Sequence, residues 1–280
     1  AGTAGACGND GTSAPEFELC NFTGNTADWS GAMDSAGCTL TLTDCTFAMN
    51  DAVNGGGAMA NTAGATSSLV RCQFFSNTAG FGGAVYCLNV TNVTLTGCEF
   101  FSNSANDAGA MYFFNAGSVV DGCRFEGNTA GLIPNGLGGA IGAVLGSNPV
   151  IRRSVFIDNE AGSAGGAVWV DNSPASLVSN YFLGNTADWS GGAIENFASA
   201  SVVSGCVFSG NTATNSHGGA MAISGSVSPR ISNNSFTGNH AGFAGGGIAI
   251  DVVNPPVLAN SILWGNTDPN GSAESQQIHF

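Results

Sequence analysis

The chain contains no lysine, and charged side chains make up only 9% of its 280 residues, so Asn, Ser, Thr and Gly must cover most of its surface. Its few basic residues are all arginine, and 19 acidic residues bring the formal net charge to -14. No basic cluster exists, which removes the electrostatic footprint needed to bind nucleic acid or an anionic membrane. No apolar run approaches the ~18 residues of a membrane-spanning helix, and no leader pattern stands at the start, so membrane insertion is not expected. Helical spacing of apolar residues is also missing. In a helix, the 43 glycines would each cost about 1 kcal/mol relative to alanine. There is no Cys-x-x-Cys and no Cys/His spacing suited to zinc, so no cofactor is expected; Ca2+ alone stays open, with no acidic cluster to support it.

What is present is repetition. With 43% hydrophobic residues and 18 Phe, the chain can fill a large core. A unit such as Cys206-Val207-Phe208-Ser209-Gly210-Asn211, followed by Gly218-Gly219-Ala220-Met221, returns about every 26 residues. In register, the unit gives an Asn column: Asn25, Asn50, Asn77, Asn103, Asn128, Asn159, Asn185, Asn211, Asn239 and Asn266. Three residues before each Asn runs a Phe column, from Phe22 to Phe236 and then Leu263. A second apolar column runs from Phe17 to Leu258, and a third from Met33 to Ile248.

Three short apolar runs per unit, bounded by Gly, Asn, Pro or Ser, predict three short strands per coil. The expected fold is all-β: a right-handed, single-stranded parallel β-helix of about ten coils, forming one domain over 1–280. Residues 1–14 would be a partial N-terminal coil and 267–280 a partial coil or tail. Asn is expected to form a ladder at a turn, tolerating the left-handed conformation there, and Gly to permit the tight corner before the third column.

Cys20, Cys45, Cys72, Cys98, Cys123 and Cys206 stand two residues before the Phe column, where other coils carry Ser154, Asn180, Asn234 and Ser261. Alternate residues share a face, so these thiols should point inward and stay reduced, since in-register parallel pairing suits a disulfide poorly. Asn-x-Ser/Thr sequons at Asn21, Asn89, Asn92, Asn233 and Asn270 are read as chance in so Asn-rich a chain.

The pairing of Phe-x-x-Asn with Gly-Gly-Ala-(Ile/Leu/Val/Met) resembles the repeat of the chlamydial polymorphic outer membrane proteins and related β-helical passenger domains. Phe208 to Asn211 with Gly218 to Met221 carries it, as do Phe74 to Asn77 with Gly82 to Val85, and Phe182 to Asn185 with Gly191 to Ile194. Ser30-Gly31-Ala32-Met33 and Ala108-Gly109-Ala110-Met111 lack the first Gly, and Gly245-Gly246-Gly247-Ile248 replaces Ala. The resemblance implies a secreted or surface-displayed β-helix, often adhesive, and brings no catalytic residues with it.

Chemistry has few candidates. Polysaccharide cleavage needs a paired acid and base, or Ca2+ with a basic residue. Arg71 and Arg153 are three coils apart, about 15 Å by strand stacking. Asp171, Glu195 and Asp251 read as loosely grouped turn residues, and His217, His240 and His279 as too scattered for a triad or metal site. A Thr column that could order ice is interrupted by Asp51, Glu160 and His240. More informative is an outward face where solvent should favour polar groups but Phe75, Phe101, Val155, Ile157, Tyr181, Leu183 and Trp264 appear. They form the candidate surface contact patch.

The chain opens partway through a coil, with Gly5-Ala6-Cys7 aligned to Gly31-Ala32-Met33, and no capping helix is evident at either end. Uncapped coils present unpaired strand groups, so the expectation is either that more protein continues on both sides or that identical subunits stack head to tail into a homopolymer. The leading expectation is a non-enzymatic extracellular structural or adhesive protein, with a host surface or polysaccharide as ligand. The alternative is a carbohydrate-binding or polysaccharide-cleaving β-helix.

Overall fold

The structure, a computed structural model, describes residues 4–131, 135–227, 229–253, 256–271, 273 and 277–280. Leu132-Ile133-Pro134, part of the longest insertion, lies outside them. Among the described residues no helix is long and apolar enough to cross a membrane.

Strands of one coil pair in parallel with the equivalent strands of the coils before and after, forming four sheets that run the length of the rod. Face 1 has eleven strands, from Cys7–Asp10 through Met33–Ala36 to Ile278–His279. Face 2 has ten, from Glu16–Glu18 to Val257–Ala259, and face 3 ten, from Asn21–Thr23 to Ile262–Trp264. Face 4 has nine, from Thr26–Ala27 to His240–Ala241. These short strands add a fourth face to the three expected. Its signal was the Thr-Ala pair after the ladder Asn: the residue at the Ala position turns inward, as Ala130, Ala187 and Ala213 do, all fully buried.

The columns meet inside. Phe22, Phe47, Phe74, Phe100, Phe125, Phe156, Phe182, Phe208 and Phe236 stack with ring centroids 4.6–5.0 Å apart and planes within 10°. That spacing is the strand repeat of about 4.8 Å, so parallel pairing itself sets the rings in contact. Each buried ladder Asn accepts from the preceding one: Asn159 N–H and Nδ2 both reach Asn185 Oδ1, at 3.1 and 2.9 Å. Asn185 Nδ2 in turn donates to Asn211 Oδ1 and to the carbonyl of Phe156 in the coil before. The left-handed residue is not the Asn, as expected, but the one before it, Ser76, Asp158 or Gly184 for example. The turn is completed there, which leaves the Asn carboxamide pointing into the ladder.

Beyond Asn266 the ladder continues into a glutamine. Gln277 occupies the place that Ala or Gly holds in other coils, and its Oε1 accepts from Asn266 Nδ2 at 2.7 Å, as a further Asn would. Ile278 then falls beneath Ile248, extending the third column by a member that the expected tail had concealed.

All nine cysteines are free thiols. Cys45, Cys72, Cys98, Cys123 and Cys206 are buried beside the Phe stack. Burial pushes the Cys206 thiol up to about 11. The polar members of that column also stitch coils together: Ser154 N–H donates to Asn180 Oδ1 at 2.9 Å, and Cys206 N–H to Asn234 Oδ1 at 2.8 Å. Corner glycines are required where coils touch. A Cβ on Gly192 would stand 2.1 Å from the carbonyl oxygen of Gly219.

Candidate functional site

Each face 1 strand alternates. In Ile194–Phe197, Ile194 and Asn196 point into the core while Glu195 and Phe197 point out. The first outward position makes one row along the rod: Asp34, Ala60, Tyr86, Tyr112, Gly142, Trp169, Glu195, Ala222, Ala249 and His279. Asp171, Ser224 and Asp251 lie on the second outward row. The loops between faces 4 and 1 form one bank, carrying Trp189, Ser216, His217 and Phe243.

Where the first row carries Ala222 and Ala249, the side chains fall short of the bank and leave a cleft of about 430 Å³. Glu195 forms one end, His279 and Phe280 the other, with Ser224 and Asp251 opposite Trp189 and His217. The indole of Trp189 and the ring of Phe280 are 60% and 79% exposed.

Glu195 is not the solvated turn residue expected. It lies within a strand and is only 6% exposed. Ser190 Oγ donates to its Oε2 at 2.6 Å and Ser224 Oγ to its Oε1 at 2.9 Å. Burial raises its carboxyl above the usual range, and the two serine bonds oppose that shift. With both oxygens engaged, the carboxyl orients two hydroxyls at the wall of the cleft.

Nor are the histidines all scattered. His217 and His279 are brought together with ring centroids 5.3 Å apart, because one precedes a face 1 strand and the other lies on a strand stacked near it. Phe243 packs on His217 at 4.7 Å, and Ser216 Oγ lies 2.8 Å from His217 Nδ1. Burial, then the neighbouring His279, lowers the His217 pKa, against the pull of Asp251. His240 stays apart on face 4, with Nδ1 2.9 Å from Thr267 Oγ1. Among the described residues, no three His, Cys, Asp or Glu side chains are arranged to hold a metal ion. The arginines lie elsewhere. Arg71 pairs with Asp44 at 2.7 Å, and Arg152 and Arg153 share Asp121.

The candidate contact patch lies on the outward side of face 3 and divides into groups. Phe75 and Phe101 stack in parallel at 5.4 Å, half-buried against each other. Arg124 and Glu126, paired at 2.6 Å, separate them from Val155, Ile157, Tyr181 and Leu183. Ser209 and Thr237 then separate Trp264 from the rest.

Sequence reasoning did not find Trp189, Ser190, Ser224, Ala222, Ala249 or Phe280. Their only signal was the outward row of face 1, where aromatic residues give way to alanines.

A side-chain-filled parallel solenoid of stacked coils defines a β-helix protein. Residues 63–204, half of the chain, match the family described as right handed beta helix region, and the chain belongs to it. No curated protein matches it.

Proposed function

We propose that the chain is a non-enzymatic β-helical binding protein working outside the cell, and that the face 1 cleft holds a glycan. The observation that carries this reading is the cleft itself, which combines an exposed indole, two oriented serine hydroxyls and a carboxylate above a floor of alanines. Sugar rings suit such a site, because their C–H faces stack on aromatic rings while their hydroxyls exchange hydrogen bonds with Ser and Asp. The engagement of both Glu195 oxygens supports binding over cleavage, since a general acid must present its proton to the scissile bond. The Lys-free, Asn- and Thr-rich surface supports an extracellular setting, and the resemblance to the chlamydial-type repeat supports adhesion as the use of the bound glycan.

The test is an oligosaccharide array on the purified chain, followed by calorimetric titration of the best ligand into Trp189→Ala. Loss of one aromatic stacking partner, worth about 0.5–1.5 kcal/mol, should weaken binding up to about tenfold. Affinity unchanged in Trp189→Ala and in Asp251→Asn would move the site elsewhere on the rod.

A further inference from the structure

We infer that His217 and His279 form an acid-sensitive clasp: with His217 neutral, the stacked rings hold the strand Ile278–His279 against the rod and close one end of the cleft, and protonation of His217 releases that strand.

The clasp is built from two elements far apart in sequence. The rings lie 5.3 Å apart, and Phe243 backs His217 on the bank. Two neutral imidazoles pack well in this arrangement, whereas two imidazolium ions repel across the same gap in a partly desolvated site. The charged groups facing them come from neighbouring strands. Asp251, on Ile248–Val252, attracts the cations. Glu195, on Ile194–Phe197, is held toward its neutral form by burial and is already occupied by Ser190 and Ser224. Among the described residues no Arg lines the cleft, and Asp251 is the exposed side-chain carboxylate on its wall.

The element that feels this repulsion is weakly held. Ile278–His279 is a two-residue strand, the shortest of face 1, and among the described residues it pairs with Ile248–Val252. Its other anchors are Gln277, bonded to Asn266, and the Gly247 N–H that donates to the Gln277 carbonyl at 3.1 Å. The shortest strand of a sheet is where local opening requires the least free energy.

The sign agrees. The folded chain holds the His217 pKa below its ordinary 6.5, so over that interval the opened state binds more protons. The closed state is therefore fully favoured above the ordinary imidazole pKa and loses ground as pH falls through it. Release would carry His279 and Phe280 away from the cleft. That this alters ligand binding rests on the proposed function; that the strand opens does not.

Hydrogen exchange of the Gly247 amide, corrected for intrinsic rate, reads the clasp directly at about pH 7.5 and about pH 5, on either side of the ordinary imidazole pKa. Its protection should fall on acidification, while that of Asn159 at mid-rod, which reports an intact fold, does not change. His217→Gln, which keeps a polar side chain but cannot take the charge, should abolish the fall, and His279→Gln, which removes the smaller of the two causes that lower the His217 pKa, should reduce it. Equal protection at both pH values in the unaltered chain, or an unchanged fall in both variants, overturns the clasp. Titration with the array's best oligosaccharide separates the two claims. Gating requires weaker binding at the lower pH in the unaltered chain but not in His217→Gln, and pH-independent binding above an opening strand refutes it. Absence of glycan binding at either pH refutes the proposed function and leaves the exchange result to decide the clasp.

Discussion

The two halves of face 1 share a backbone, a core and a register, yet present opposite surfaces. In the first half the outward row carries Tyr86 and Tyr112, stacked at 5.7 Å and packed with Ala60, Ala108 and Val144 under Trp29, Leu88 and Phe114. Both tyrosines are buried although they point away from the core. In the second half the same row carries Ala222 and Ala249, and the volume the tyrosine rings would fill is open. The repeat therefore sets where side chains stand, and the size of one outward residue per coil decides whether the surface is sealed or receptive.

This comparison requires that the halves differ outside and not inside. Phe100→Ala, beneath the sealed half, and Phe208→Ala, beneath the cleft, each remove one ring from the same continuous stack. Each should cost about 3–5 kcal/mol in chemical denaturation, with no systematic difference between them. A much smaller loss for Phe208→Ala would mean that the cleft half is differently packed.

A smaller effect concerns Glu195, whose carboxyl belongs to the open half alone. Its pKa is raised above the ordinary 4.5 by burial, so the folded state holds a proton that the unfolded chain has released. The stability this provides is present at low pH and is lost as pH rises through the folded value. Glu195→Gln keeps a partner for Ser190 and Ser224 without the charge. Its melting temperature should match the unaltered chain near pH 4 and exceed it at neutral pH, each kcal/mol appearing as roughly 2–4 °C. A variant less stable at neutral pH would show that the ionised carboxylate is itself the stabilising form.

Much of the architecture was legible because the repeat imposes it many times over. Phe, Asn and Gly recur at fixed offsets, and each recurrence tests the register of the others, so one misaligned coil could not hide. The ladder geometry, the inward cysteines and the parallel stacking all follow from period-2 alternation. Face 4 was harder to read, since a strand as short as Thr26–Ala27 leaves almost no periodicity to detect. The cleft was not legible, because it is made by departures from the repeat. Ala222 and Ala249 are unremarkable residues in sequence, and they matter only because Tyr86 and Tyr112 occupy the same row several coils away. His217 and His279 meet only through the register of the Ile278–His279 strand, and a longer connection before that strand concealed the register. Glu195 read as a turn residue because the offset of acidic side chains from the third column varies from coil to coil.

The most direct test of the cleft as the binding site is to seal it with the residue that seals the other half. Ala249→Tyr places a ring in the row that already accommodates Tyr86 and Tyr112, so the rod should fold with an unchanged β-sheet circular dichroism spectrum. Calorimetric titration with the array's best oligosaccharide should then show binding weakened at least about tenfold, a loss of about 1.4 kcal/mol. Undiminished affinity in a folded Ala249→Tyr would contradict the account.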